Sequence, residues 1–306
     1  MKNSIVNRYG TLRLVFIVFV FLISISCQPP KKYEIKDLTV EYLTNPLGVD
    51  VEQPRFSWKI ISEERDVMQS AFQIIVGESL SEVNKKTGSV WNSGKMESGG
   101  TVNQVYEGNA LQSNATYFWR VRVWFSDESS VWSESASFHT GILNEAEWQA
   151  QWITTQDEIV HASPLLRKAF HAEKEIERAF VFVTATGFYE LFLNGEKVGN
   201  HVLDPGVTDY RKTILYSTYD VTSLLKKGTN MVGAMLGNGA WNFQKTEGRW
   251  SWGSGGASFG NPALWMQLMI DYTDGTREVV ISDNSWKTTE GPITFNNLYG
   301  GEDYDA

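Results

Sequence analysis

Phe188-Tyr189-Glu190-Leu191-Phe192-Leu193-Asn194-Gly195-Glu196-Lys197-Val198-Gly199 is the stretch on which the fold reading turns. Asn194-Gly195 lies between two apolar-rich runs, and both residues tolerate the positive φ of a type I′ turn, so the segment predicts a β-hairpin. Downstream, Asp204-Pro205-Gly206 marks a turn, and Tyr210, Tyr216 and Tyr219 form an aromatic run. Asp220 to Gly228 reads as one turn of helix, opened by Asp220 or Thr222 and closed by Gly228. A strand over 230–236 leads into Gly237-Asn238-Gly239-Ala240-Trp241-Asn242. Strands, tight turns and a single helical turn predict an antiparallel β-sandwich with decorated loops.

The surrounding sequence repeats the pattern. Strands are expected over 167–170, 179–184, 189–193, 230–236, 263–272 and 278–282, with a further hairpin turn at Asp274-Gly275. No strand-helix alternation occurs, which excludes a doubly wound nucleotide-binding sheet. Residues 147–306 therefore read as a jelly-roll (galactose-binding-like) β-sandwich. Ahead of them, an acidic joint over 141–147 follows a smaller domain spanning 38–141. There Phe56, Trp58 and Ile60 alternate with polar neighbours, and Tyr117, Trp119, Val121 and Val123 share one face of a strand whose other face carries Arg120 and Arg122. Leu111, six residues before Tyr117, matches the tyrosine corner of fibronectin type III and immunoglobulin-like sandwiches. Seven strands are expected here, with Trp58, Trp91 and Trp119 in the core.

Residues 1–27 stand outside any fold. Lys2, Arg8 and Arg13 precede an apolar run from Leu14 to Ile25, too short for a bilayer span of roughly 20 residues and suited to a secretory signal. Cys27, the only cysteine, stands where a lipoprotein signal places the residue to be acylated, although Ser24 departs from the usual Leu. An ordinary signal with an incidental Cys is the alternative. Export to the periplasm or an outer-membrane lipid anchor is the expected location. Removing 1–26 leaves 24 basic against 36 acidic residues, so the net charge falls from -9 to -12. That balance argues against nucleic acid and anionic lipid as partners and leaves a lipid anchor as the one expected membrane contact.

The longest aperiodic segment is 238–262, with three tryptophans. Such a loop within a compact domain is functional or disordered, and three Trp argue against disorder. Indole faces stack on sugar C–H faces while planar amides read hydroxyls, so Asn238, Trp241, Asn242, Trp250 and Trp252 are the candidate carbohydrate-binding residues. About 50 Å² of covered sugar is worth only about 1 kcal/mol, so several groups must converge. A purely structural role for Trp250 and Trp252, pinning the loop to the sandwich, stands beside this reading.

Catalytic signatures are absent or coincidental. Gly256-Ala257-Ser258-Phe259-Gly260 fits the nucleophile-elbow spacing but follows a Gly-rich run and precedes Asn261-Pro262, not a helix. His139, His161, His171 and His201 lack metal-ligand spacing, so no metal or other cofactor is expected. Asp204 and Asp209 suit a turn role better than calcium, because an oxygen cage needs about six or more ligands. The carboxylates Glu302, Asp303 and Asp305 show no pairing that sequence spacing can establish.

Taken in order, 188–195, Asp204-Pro205-Gly206-Val207-Thr208-Asp209-Tyr210, 216–222, 236–241 and Tyr299-Gly300-Gly301-Glu302-Asp303-Tyr304-Asp305-Ala306 resemble the N-terminal half of bacterial α-L-rhamnosidases of glycoside hydrolase family 78. The motifs Asn45-Pro46-Leu47-Gly48 and Pro54-Arg55-Phe56-Ser57-Trp58 are similar to the first domain of the same enzymes. The resemblance implies an inverting hydrolase acting on terminal α-L-rhamnosyl linkages in glycans. It also implies glutamate acid and base in a separate (α/α)6 toroid. No such helical array occurs before Ala306, so no catalytic residue is assigned to this chain and its own missing catalytic domain is an expected partner. Two readings follow: the accessory region of a rhamnosidase continuing past Ala306, which the break inside a family motif favours, or a stand-alone carbohydrate-binding lipoprotein.

Overall fold

The computed structural model describes residues 33–155, 161–243, 245–250 and 257–305. Two β-sandwiches follow one another along the chain. In the first, β1 (Glu34–Val40), β2 (Arg55–Ile61) and β6 (Gln104–Val105) form one sheet. The other contains β3 (Gln69–Gly77), β4 (Trp91–Asn92), β5 (Met96–Glu97), β7 (Thr116–Phe125), β8 (Ser130–Trp132) and β9 (Ala136–His139), with the short helix α1 (Leu80–Asn84) laid against β3 and β7. Alternation decides β7: its ten residues switch strictly between half-buried and buried, so Tyr117, Trp119, Val121, Val123 and Phe125 enter the core. Trp58 and Trp119 are core as expected, whereas Trp91 is only partly buried and packs against the cluster's margin. The tyrosine corner is present: the Tyr117 phenol accepts the Gln112 N–H at 2.9 Å.

The domain differs from expectation in two respects. Its first strand, β1, starts four residues before Leu38, and its own described residues contain nine strands in place of seven. The Gly- and Ser-rich run 93–100 explains one extra strand, since it breaks one edge into two-residue strands β4 and β5 that pair separately with β3, and the other edge divides likewise into β8 and β9, which pair separately with β7.

The second sandwich stacks the five-stranded sheet β13 (Glu196–Lys197), β12 (Phe188–Leu193), β15 (Gly228–Gly237), β10 (Pro164–Ala172) and β20 (Lys287–Glu290) on a four-stranded one. The latter is β14 (Ser217–Asp220), β11 (Ile176–Thr186), β18 (Ala263–Tyr272) and β19 (Arg277–Ile281). Leu166, Leu191, Val232 and Leu236 meet Val181, Val183, Met266 and Leu268 between the sheets. Each such side chain contributes about 1.5–3 kcal/mol by leaving water. All six expected strands occur, each extending at least as far as predicted or within a residue of it. The Asn194-Gly195 turn has both residues at positive φ, 52° and 90°, as a type I′ hairpin requires. Asp274-Gly275 also turns a hairpin, but only Gly275 takes positive φ. The helical turn is a 3-10 piece, Thr222–Leu224, entered from Val221, and Asp220 accepts the Thr222 N–H at 3.0 Å. Gly228 opens β15 instead of closing the turn.

The sandwiches share a small apolar cluster at their joint: Ile142, Phe180, Phe182 and Met269, with Trp148 and Tyr216 against it. This explains why β11 is buried on both faces from Ala179 onward. The joint itself is a 3-10 turn, Glu145–Glu147, and Gln267 holds its exit by accepting the Gln149 N–H and donating to Glu147 O. His139 stacks on Phe180 across the boundary, ring centroids 3.7 Å apart and planes 14° apart. Backbone also comes close here. A Cβ at Gly48 would lie 2.3 Å from Thr218 Oγ1, and one at Gly141 would lie 2.1 Å from the Tyr216 hydroxyl.

Candidate functional site

The loop after β15 is organised by asparagines. Asn238 donates through its amide to His161 O at 3.2 Å and Asn296 O at 3.0 Å, and its N–H reaches Asn296 Oδ1 at 2.7 Å. Asn242 Nδ2 donates to Asn238 Oδ1 at 2.9 Å, and Asn242 Oδ1 accepts from Ser258 at 2.8 Å. Both side chains are buried. The expectation that Asn238 and Asn242 read sugar hydroxyls is therefore corrected: their amides satisfy backbone and side-chain partners inside the domain, as buried polar groups must. They shape the site from beneath.

Above them the aromatic residues form two groups. The Trp241 indole donates to Asn261 O at 3.1 Å, which fixes its plane, with Tyr210 edge-on at 5.3 Å and Phe259 tilted at 5.1 Å. Phe259 is half exposed, so the group presents apolar surface outward. Trp250 is 60% exposed and lies 5.2 Å from Tyr299, which packs edge-on to Phe243 at 5.0 Å. Arg249 fastens this second group by lying 4.1 Å over the Phe295 ring, donating to Gly300 O and pairing with Asp303. Its anchors belong to the terminal hairpin β21 (Ile293–Asn297) and β22 (Gly301–Tyr304). Trp250 thus both pins the loop and offers an exposed ring. Trp252 and Cys27 lie outside the described residues. The elbow-like Ala257-Ser258 forms a short strand β17 (Ala257–Ser258) paired with β16 (Asn242–Phe243), and Ser258 is spent on Asn242.

Beside the hairpin a cavity of about 440 Å³ is lined by Phe188, Leu203, Met235 and Asn297 together with Glu190 and Glu302. Glu190 is paired with Lys197 at 2.6 Å. Among the described residues no three His, Cys, Asp or Glu side chains are grouped to hold a metal ion. Asp204 has a structural use instead. Its Oδ2 accepts Tyr189 OH at 2.6 Å, Ser217 OH at 2.7 Å and Tyr219 OH at 2.9 Å, with His201 Nδ1 at 3.4 Å. Burial opposes its ionisation, but the hydroxyl donors outweigh that and hold its carboxyl below the usual range. Burial, reinforced by the facing carboxylate, pushes the Tyr189 phenol well above its ordinary value. Asp209 pairs with Arg211 and Lys212. Sequence reading assigned none of Asn296, Phe259 and Tyr299 to the site: Phe259 stood out only in the elbow-like run and Tyr299 only in the terminal motif 299–306.

Comparison with known proteins adds two family models in chain order. Residues 35–144 match the Rha78A-like N-terminal immunoglobulin domain, and residues 174–306 match the α-L-rhamnosidase N-terminal domain. An α-L-rhamnosidase of Formosa agariphila is 35% identical over 96% of this chain and 33% of its own length. One from an Alteromonas species is 36% identical over 95% and 33%. The solved α-L-rhamnosidase from Dictyoglumus thermophilum superposes with a TM-score of 0.80 at 40% identity, covering 89% of this chain and 31% of that one. The chain thus spans about a third of the length of the relatives it matches. The two sandwiches described above belong, in chain order, to the two domain families that these models describe, a Rha78A-like N-terminal immunoglobulin domain and an α-L-rhamnosidase N-terminal domain.

Proposed function

We propose that this region serves an exported enzyme that hydrolyses terminal α-L-rhamnosyl linkages in glycans, with the bond-breaking carboxylates on polypeptide outside the matched third. The succession of two rhamnosidase domain models carries this reading. The product of the complete reading frame is expected to release p-nitrophenol from p-nitrophenyl α-L-rhamnoside, while residues 33–306 alone are not. Silence of the complete product on all rhamnosides would sink the assignment.

Within that enzyme, the Trp241 and Trp250 groups hold the sugar by stacking. Their two outward-facing apolar surfaces support this role. Loss of one indole removes about 1 kcal/mol, so Trp241→Ala is expected to weaken rhamnose binding by about fivefold. Calorimetric titration of residues 33–306 with L-rhamnose measures it, and unchanged affinity would remove Trp241 from the site.

Export and lipidation rest on the basic start, the short apolar run and Cys27. Cys27→Ser is expected to move the protein from the membrane fraction to the soluble fraction on cell fractionation, because acyl chains supply the attachment. A wild-type protein already soluble would reduce the segment to an ordinary signal.

A further inference from the structure

The outward face of β7 and β8 gathers positive charge in a chain that is acidic overall. Arg120 and Arg122 point outward from alternate positions of β7, and the pairing register places Gln73, Arg122 and Trp132 in one row across three strands. Neither arginine has a carboxylate partner among the described residues. Arg120 donates from Nε and Nη2 to Ser133 O, and Arg122 donates from Nε and Nη2 to Ser130 Oγ at 3.1 and 2.8 Å. These acceptors are neutral, so they orient the guanidiniums without cancelling their charge. Indoles complete the orientation: Arg122 lies 4.4 Å from the Trp124 ring, which Lys95 also approaches at 5.5 Å, and Arg120 lies 5.9 Å from Trp132. Lys95 is the weakest member because Glu97 pairs with it at 2.7 Å.

A half-buried guanidinium normally finds a carboxylate, because partial desolvation penalises an unpaired charge. Two adjacent ones left with neutral acceptors, held in plane by tryptophans, are preorganised to receive an oxyanion from outside. We infer that this face of the first sandwich is a binding site for an anionic glycan, in which Arg120 and Arg122 take a carboxylate or sulfate carried by a sugar ring. The glycan part of this inference rests on the rhamnosidase reading above. Charge density selects against nucleic acid. A duplex presents one charge about every 1.7 Å, which three cations on a chain of net charge -9 do not match. A glycan bearing one charge per sugar is sparser. The strand geometry suits it, since outward positions two residues apart lie about 7 Å from each other.

Affinity electrophoresis of residues 33–306 tests the site, with polygalacturonate, dextran sulfate, neutral dextran and duplex DNA as separate arms. Retardation by polygalacturonate or dextran sulfate is expected, and which of them acts identifies carboxylate or sulfate as the group recognised. Neutral dextran and DNA should give none. Binding should weaken with added salt, as exposed charge contacts do. In Arg122→Gln, and in Arg120→Gln/Arg122→Gln, affinity should fall by about tenfold or more. Trp241→Ala should bind the polyanion like wild type, which separates this site from the rhamnose site and lets either fail alone. Near-UV circular dichroism verifies that each variant is folded. Absence of retardation by both polyanions, equal retardation by DNA, or an undiminished folded arginine variant would overturn the inference.

Discussion

Asp204→Ala is expected to lower folding stability by about 4 kcal/mol, because it leaves three inward hydroxyls without their ionic acceptor. Those hydroxyls come from opposite sheets, Tyr189 on β12 and Ser217 and Tyr219 on β14, so one carboxylate ties the two layers together at the sandwich's end. Asp204→Asn keeps the shape and an acceptor oxygen, and should cost roughly half as much. Urea denaturation of the three proteins measures both steps. Asp204 ionises below its ordinary pKa in the folded state, so its contribution is fully present above the unfolded value. It disappears as pH falls through the folded value. The gap between wild type and Asp204→Asn should therefore close in strong acid. A gap of less than 1 kcal/mol between wild type and Asp204→Ala at neutral pH would show that water replaces the carboxylate.

Acid should loosen the joint between the domains before it reaches the carboxylates. His139 is buried with Thr116 Oγ1 at 2.9 Å and Asn114 Oδ1 at 3.1 Å from its ring nitrogens. Burial, aided by the positive charge of Arg178, pushes its pKa down to about 3. The unfolded chain regains an ordinary histidine near 6.5, so it takes up the proton first. Stability is therefore complete above about 6.5 and falls as pH drops toward the folded value, by about 1.4 kcal/mol per pH unit. Between pH 6 and 4.5, above the range of the paired aspartates, the expected loss is about 2 kcal/mol. His139→Asn cannot titrate and should flatten that slope, at the expense of stacking on Phe180. Equal slopes for the two proteins in urea titrations at several pH values would refute a histidine origin.

These two features differ in how far sequence reveals them. The Asn194-Gly195 hairpin and the β7 alternation were legible because turn chemistry and period-2 burial are local. The tyrosine corner was legible for the same reason, its two ends lying five residues apart. Asp204 was legible only as a turn residue, since its donors arrive from strands in different sheets. Asn238 and Asn242 were misplaced because an amide that reads a sugar hydroxyl has the same chemistry as one that satisfies His161 O or Asn296 O. Only tertiary position separates these roles, and Asn296 lies 58 residues from Asn238. Strand β20 escaped notice because all four of its residues are exposed, leaving no alternation to read. Arg120 and Arg122 were assigned to a polar face correctly. That they would find neutral acceptors there, Ser130 and Ser133, required the pairing of β7 with β8.

The bare backbone at Gly48 and Gly141 limits how this architecture can be rearranged. Thr218 and Tyr216 of the second sandwich occupy the space that side chains at those positions would fill. A domain taken from another protein could not simply be spliced in at the front, like a bead onto a string. It would have to bring two vacant positions in register with that threonine and tyrosine, so the pair is expected to be inherited, shuffled and engineered as one cassette.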